Sequence, residues 1–323
     1  MSSAFSFGFG DNGDESDSSM HEAHKENLQP DVSDLDTQQS GLQVAKVLAH
    51  TDLVSKSHKP IHLKQDSTVQ LPQRDFQDIQ AQLMAEDSAM NANEPLAPGL
   101  SDDDLKPNIY EGGFKTWECA VDLASYVLTQ SLVMEGYVSG LNLIELGAGT
   151  ALPTLSLFWQ WLLQSDMRTS RLHIILTDYN QSVLELATIP NLFLTWYSVA
   201  YPQNPSQQVE VTTALRARYL DDLKARNISI SIISGGWSPE FSALLSSVIA
   251  PLGQANTLIL ASETIYAPAS LHAFTACILD ILRNTDGLHQ VKALVASKNI
   301  YFGVGGGVNE FLALLRRSEG HGE

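Results

Sequence analysis

Cysteine is nearly absent from this chain, with Cys119 and Cys277 the only two in 323 residues. Two thiols cannot form a disulfide framework, and no basic stretch followed by an apolar run opens the sequence. A reducing intracellular compartment, cytoplasm or nucleus, is therefore expected. No apolar run reaches the ~18 residues that a membrane span requires. Cations are scarce too: 19 Lys and Arg stand against 37 Asp and Glu, for a formal net charge of -18. A surface so poor in cations does not hold phosphate backbones or anionic lipid unaided. Direct nucleic-acid or membrane binding is not expected, and a basic protein partner fits better, although the same charge also serves solubility. A monomer is expected, and no metal is implied.

Residues 1–100 are rich in Asp, Ser, Gln, Asn and His and poor in large apolar side chains. Such a composition predicts a mostly disordered acidic tail. Phe76, Ile79, Leu83 and Met84 recur at helical spacing and predict one short amphipathic helix over Asp75–Met90, while Phe5, Phe7 and Phe9 alternate like a short strand. Composition shifts after Pro107, which puts the start of the folded domain near Ser101 and its extent at 101–323.

From there strand and helix patterns alternate. Strands are expected at Leu141–Leu146, Leu172–Thr177, Ile228–Ile233, Thr257–Ala261 and Val291–Ala296. Helices are expected over Cys119–Leu128, from Pro153 to Leu163, and around Ser182–Leu194, Pro239–Ile249, Ser270–Leu282 and Val308–Arg316. Five alternations imply an α/β, Rossmann-like fold, a mostly parallel sheet with helices on both faces. Ligands of such sheets bind at the carboxyl ends of the strands, so chemistry is sought in the loops that follow them.

The first such loop reads Glu145-Leu-Gly147-Ala-Gly149-Thr150. Its glycines allow a close backbone approach to a ligand, and the next helix offers free N–H groups to an anionic one. Leu152 breaks the dinucleotide G-x-G-x-x-G spacing. An acid two residues before the first glycine is the pattern of methyltransferases that bind S-adenosylmethionine; a structural tight turn is the alternative. The second loop, Asp178-Tyr179-Asn180, has a carboxylate able to accept ribose hydroxyls or to cap a helix. In Gly235-Gly236-Trp237 the indole suits either an adenine wall or a core position. Ser262-Glu263-Thr264-Ile265-Tyr266 sets a carboxyl and a phenol three residues apart, where they could hold a nucleophile or serve as a cap and a packed ring. Before the first strand, Thr116-Trp117-Glu118 starts a helix, and the helix dipole alone could account for Glu118.

Taken together, Y-E-G-G-F-K-T-W-E-C, L-I-E-L-G-A-G, D-Y-N, S-G-G-W, S-E-T-I-Y and A-S-K-N-I-Y-F-G-V-G-G-G closely resemble the protein-histidine N-methyltransferases that modify a large-subunit ribosomal protein. The resemblance spans about residues 108–314. W-E, D-Y-N and E-T-x-Y are shared with related protein-lysine methyltransferases, whereas the glycine run Gly303–Gly307 points to the histidine branch. The resemblance implies a class I methyltransferase fold and S-adenosyl-L-methionine as cofactor. It implies cofactor contacts from Thr116, Trp117, Glu118, Glu145, Gly147, Gly149, Asp178, Tyr179, Asn180, Gly235, Trp237 and Ser262, with Glu263 and Tyr266 facing the substrate. The glycine run is expected to bring backbone close to a flat imidazole. Three departures stand out: Ala151 where the family has a third glycine, Gly236 where an acid is usual, and a chain ending at Glu323 where the family fold continues into a final antiparallel strand pair. The alternatives are a lysine target, a degenerate binding module, or a nicotinamide oxidoreductase.

Overall fold

The computed structural model describes residues 56–62, 69–89, 112–129, 140–164, 170–203, 208–250, 255–283, 290–301 and 305–319. The expected Phe5–Phe9 strand and most of the expected tail lie outside the described residues.

A run such as Leu-Asn-Leu-Ile-Glu-Leu has no polar side to show water, and β3 (Leu141–Leu146) is accordingly buried along its whole length. It is the middle of a five-stranded sheet ordered β6-β4-β3-β7-β8. Its neighbours are β4 (Leu172–Asp178), β6 (Ile228–Ser234), β7 (Asn256–Ser262) and β8 (Val291–Ala296). All pairings are parallel, with Glu145 opposite both Leu176 and Leu260. Alternate side chains enter opposite cores. Leu141, Leu143, Ile174, Leu176, Leu258 and Leu260 belong to one cluster, and Ile144, Leu146, Ile175, Ile259 and Ala261 to the other.

Helices cover both faces, as expected of a parallel sheet. The first cluster takes in buried residues of α2 (Glu118–Thr129), α3 (Leu152–Leu163), α5 (Ile189–Ala200) and α6 (Thr213–Ala225). The second takes in α7 (Pro239–Ile249), α8 (Pro268–Arg283) and α9 (Val308–Glu319). No helix among the described residues is long and apolar enough to cross a membrane. Five parallel strands with helices on both faces match the Rossmann-like expectation. β8 is an edge strand with half-exposed side chains along most of its length.

The boundary expected near Ser101 does not divide tail from core. Strands β1 (Lys56–His62) and β2 (Gln70–Arg74) form an antiparallel hairpin that also pairs with β5 (Gln208–Val209), and α1 (Phe76–Ala89) follows. Val69 and Leu71 join the first core, while Ile79 and Leu83 cluster with Phe114, Val183, Leu186 and Ala187. These few apolar residues are diluted by polar neighbours, so average composition misses them. The helix expected over Asp75–Met90 is present as α1.

The expected single helix around Ser182–Leu194 has three parts: α4 (Gln181–Val183), a π-helical turn at Leu184–Thr188, and α5. Pro190 explains the widening, because it has no N–H to give the Leu186 carbonyl four residues back. Arg74 Nη1 donates to that carbonyl instead, at 2.9 Å, while Nη2 donates to Gln82 and Nε faces Asp78. The hairpin thus completes a helix more than a hundred residues away.

If residues 69–83 are core, Ile79→Ala will lower unfolding free energy by about 2 to 5 kcal/mol, the range for emptying a buried aliphatic site. Urea unfolding measures it. A change of about 0.5 kcal/mol or less, as at an exposed position, would return the segment to the tail.

Candidate functional site

The loop after β3 lies over the sheet centre, and its geometry is left-handed at Gly147 (φ 68°), Gly149 (φ 51°) and Ala151 (φ 62°). At Gly147 a Cβ would stand 2.9 Å from Thr264 Cγ2 and 3.8 Å from Trp237 Cζ2. Glycine is required there by both backbone and space. Ala151, where a third glycine is expected, is left-handed and fully buried at the start of α3. Its methyl group therefore tolerates the position at a cost of about 1 to 2 kcal/mol.

Hydrogen bonds fix this loop from three sides. Gly149 N–H donates to Asp178 Oδ2 at 2.8 Å, Thr188 Oγ1 donates to Gly149 O at 2.6 Å, and Asn191 Nδ2 donates to Thr150 O at 3.1 Å. The Thr150 hydroxyl meets that of Thr116 at 2.8 Å, and Thr116 donates to Gln73 Oε1 at 2.8 Å. Asp178 also accepts from Asn180 N–H at 3.0 Å. Its carboxylate therefore locks two strand-end loops together.

Glu145 was expected to touch a cofactor. It is instead fully buried behind the loop, accepting from Thr154 N–H at 3.1 Å, and so caps α3. Burial pushes its carboxyl up to about 8. Glu118, the other acid among the expected cofactor contacts, lies exposed at the start of α2 and pairs with Lys298 at 2.9 Å. That cation holds its carboxyl below the usual range, and Glu118 in turn raises the lysine. Trp117 donates from Nε1 to Gly112 O at 3.0 Å, with Lys115 over its ring.

Near Gly147, Trp237 meets Phe274 edge to face at 4.9 Å, so one side of the indole is core while its benzo edge reaches the loop. Gly235 (φ 141°) donates to Asp178 O, which ties the loop after β6 to the loop after β4. The Tyr179 ring lies 3.4 Å from where a Cβ on Gly236 would be, an ordinary contact distance. Thr264, in the E-T-x-Y run but not singled out from sequence, is buried beside Gly147, and its hydroxyl has no hydrogen-bond partner among the described residues.

Ser262 ends β7 half-buried, and the next residue, Glu263, is a non-glycine in left-handed geometry (φ 56°), a strained conformation of the kind found at functional sites. Its backbone N–H pairs with Ala296 O at 3.0 Å. Its carboxylate accepts from Cys119 N–H at 3.4 Å and from the Tyr301 hydroxyl. Lys298 N–H donates to that hydroxyl at 3.3 Å, and Ser297 Oγ lies 2.9 Å from it. The single phenol proton therefore goes to Glu263. Tyr266 stands edge to face with Tyr301 at 6.2 Å. Burial and the nearby Glu263 push the Cys119 thiol up to about 12, so it is no thiolate nucleophile.

Within the described part of the glycine run, Gly306 and Gly307 face the chain's own backbone. A Cβ at Gly306 would come within 2.6 Å of Tyr266 O, and one at Gly307 within 2.5 Å of Asn299 O. The run therefore lets the chain pass against its own Tyr266 and Asn299 backbone. Gly303 lies outside the described residues.

No protein-family model matches the chain. Among curated proteins, histidine protein methyltransferase 1 of Saccharomyces cerevisiae is 37% identical over 309 residues, covering 89% of this chain and 77% of that protein. Histidine protein methyltransferase 1 of Schizosaccharomyces pombe is 36% identical over 248 residues, 76% of this chain and 68% of its own length. The chain belongs to the histidine protein methyltransferase family. A homolog from Bos taurus is 34% identical over 215 residues, covering 65% of this chain and 50% of its own length. As a histidine protein methyltransferase the chain is a transferase that draws on a methyl donor, and its strand-end cluster is where that chemistry is sought.

The Glu145 carboxyl carries a pH signature. Its folded pKa, about 8, lies above the unfolded 4.5, so the folded state holds more protons between those values. Its contribution to stability is fully present below about 4.5 and is lost as pH rises through about 8. Glu145→Gln removes this titration, and urea unfolding across that window is expected to show a flatter dependence than in the parent. An unchanged slope would show that Glu145 ionises normally.

Proposed function

We propose that this enzyme transfers a methyl group from S-adenosyl-L-methionine to an imidazole nitrogen of a histidine in a basic protein, a ribosomal protein of the large subunit, in the cytoplasm or nucleus. The arrangement that carries this reading is Glu263, a carboxylate in strained backbone geometry, held by Tyr301 and the Cys119 N–H beside the glycine loop.

The residues fit such a donor. Gly147 leaves a space that a Cβ would fill, the Thr264 hydroxyl beside it is buried with no partner among the described residues, and Trp237 offers an aromatic edge. Asp178, at the end of β4, would accept ribose hydroxyls, and Asn180, Tyr179, Gly235 and Gly149 lie near it. Bound there, S-adenosylmethionine supplies a methyl group made electrophilic by its sulfonium.

The chain's own part is positioning. A histidine side chain with a pKa near 6.5 is mostly neutral at pH 7, so no strong base is needed. Glu263 would accept the N–H of the ring nitrogen that does not react, fixing the tautomer that presents a lone pair on the other. Forming the N–CH3 bond as the donor's S–CH3 bond breaks, with that electron pair returning to sulfur and the neutral thioether as leaving group, would leave the ring cationic. Glu263 then stabilises the charge and passes the N–H proton on to water. Tyr301, through its one hydrogen bond to Glu263, keeps the carboxylate in place, and Tyr266 flanks the pair. A formal charge of -18 favours encounter with a basic partner, so association should weaken with salt.

The test is mass spectrometry of large-subunit ribosomal proteins after incubation with the enzyme and labelled S-adenosylmethionine. Methylhistidine is expected; methyl on lysine alone would move the target to the lysine branch. Glu263→Gln should lower kcat about a hundredfold, and Tyr301→Phe less, with donor affinity retained in both. Full turnover in Glu263→Gln would remove the carboxylate from the chemistry.

A further inference from the structure

Residues 69–83 do more than pack. Gln73, on β2, is 7% exposed, and its Oε1 accepts from Thr116, which bonds in turn to Thr150 of the glycine loop. The neighbouring Arg74 N–H donates to Asn191 Oδ1 at 2.7 Å, and Asn191 Nδ2 reaches the Thr150 carbonyl. Two adjacent residues thus meet the same loop residue by separate routes. Gln73 Nε2, however, has no hydrogen-bond partner among the described residues. An amide N–H group buried without an acceptor is costly enough to call for one.

We propose that Gln73 binds the methyl donor, giving its free Nε2–H to the carboxylate of the donor's amino-acid end. This rests on the donor reading above. A sulfonium donor has three arms: the methyl, the ribosyl group and the aminobutyrate chain. That reading takes the methyl to Glu263 and the ribose to Asp178. The cluster left for the third arm is Thr116, Thr150 and Gln73, where the buried polar atom lacking a partner is a donor. The Arg74 guanidinium is engaged by Asp78, Gln82 and the Leu186 carbonyl, so a neutral amide rather than a cation meets the carboxylate. The hairpin that sequence composition assigns to a tail thereby becomes one wall of the donor site.

Calorimetry on the full chain tests this with two probes, S-adenosylhomocysteine and 5′-methylthioadenosine, the second lacking the amino-acid end. Gln73→Met should weaken S-adenosylhomocysteine about tenfold or more and leave 5′-methylthioadenosine within about threefold. Gln73→Glu keeps an acceptor for Thr116 but sets carboxylate against carboxylate, and should show the same split more strongly. Thermal melting without ligand reports whether each variant folds. Should neither fold, the parent protein must still lose about tenfold for S-adenosylhomocysteine lacking its carboxylate, and less for the analogue lacking only its amino group. Unchanged binding of S-adenosylhomocysteine, equal loss for both probes, or dependence on the amino group instead would overturn the assignment. If the parent protein binds neither probe, the donor reading itself falls.

Discussion

A buried loop must satisfy its own backbone, and the Gly147–Ala151 turn is where this chain meets that demand. Water cannot reach the turn freely, so each of its N–H and C=O groups needs a partner from the protein. Asp178 supplies one from the adjacent strand end, Thr188 and Asn191 supply two from the π-helical turn and α5, and Thr116 binds the Thr150 side chain from the segment before α2. Segments far apart in sequence are thereby fixed to one point at the carboxyl edge of the sheet. The left-handed angles at 147, 149 and 151 follow from the same demand.

Three carboxylates near that edge show how environment divides labour among identical groups. Glu145 is sealed from water, caps α3 and holds its proton into the neutral range. Asp178 binds two backbone N–H groups and joins two loops. Glu263 is half-buried and tied to a phenol and one N–H, with backbone angles that only a well-determined surrounding would hold. A sequence motif names all three as acids; only their burial and partners tell a cap from a clamp from a half-buried group in strained geometry.

The sheet was legible because fully buried strands leave unbroken apolar runs, and Leu141–Leu146 or Thr257–Ala261 admit few other readings. Strand-end loops were legible from topology, which is why most candidate residues lie along one edge. What escaped has physical causes. α6 buries only Tyr219 and Leu223, too sparse a stripe to give a helical period. Gln73 and Arg74 are polar residues in a polar stretch, and nothing in their composition says that they are buried. Tyr301 acts through a hydrogen bond across 38 positions, a relation without sequence spacing. The ion pair of Glu118 with Lys298 was not legible either, because a motif fixes a position while local cations decide which way the side chain turns. The glycine run was correctly seen as unusual backbone, but its neighbour is the chain itself.

The bond from Arg74 to the Leu186 carbonyl spans 112 positions and sets an order of assembly. During synthesis the hairpin and α1 emerge well before residues 183–187, yet the cluster of Ile79 and Leu83 is not complete until Val183, Leu186 and Ala187 have followed. Closing so long a loop is slow relative to local helix formation, so this contact belongs to the late stages of folding. Until then Pro190 leaves a carbonyl without its helical donor, and the turn before α5 stays incomplete. Only with residues 56–89 docked does the Leu186 carbonyl gain the Arg74 donor and Asn191, beneath Thr150, gain the Arg74 N–H, so the strand-end edge is complete only when a segment made well before it has found its place.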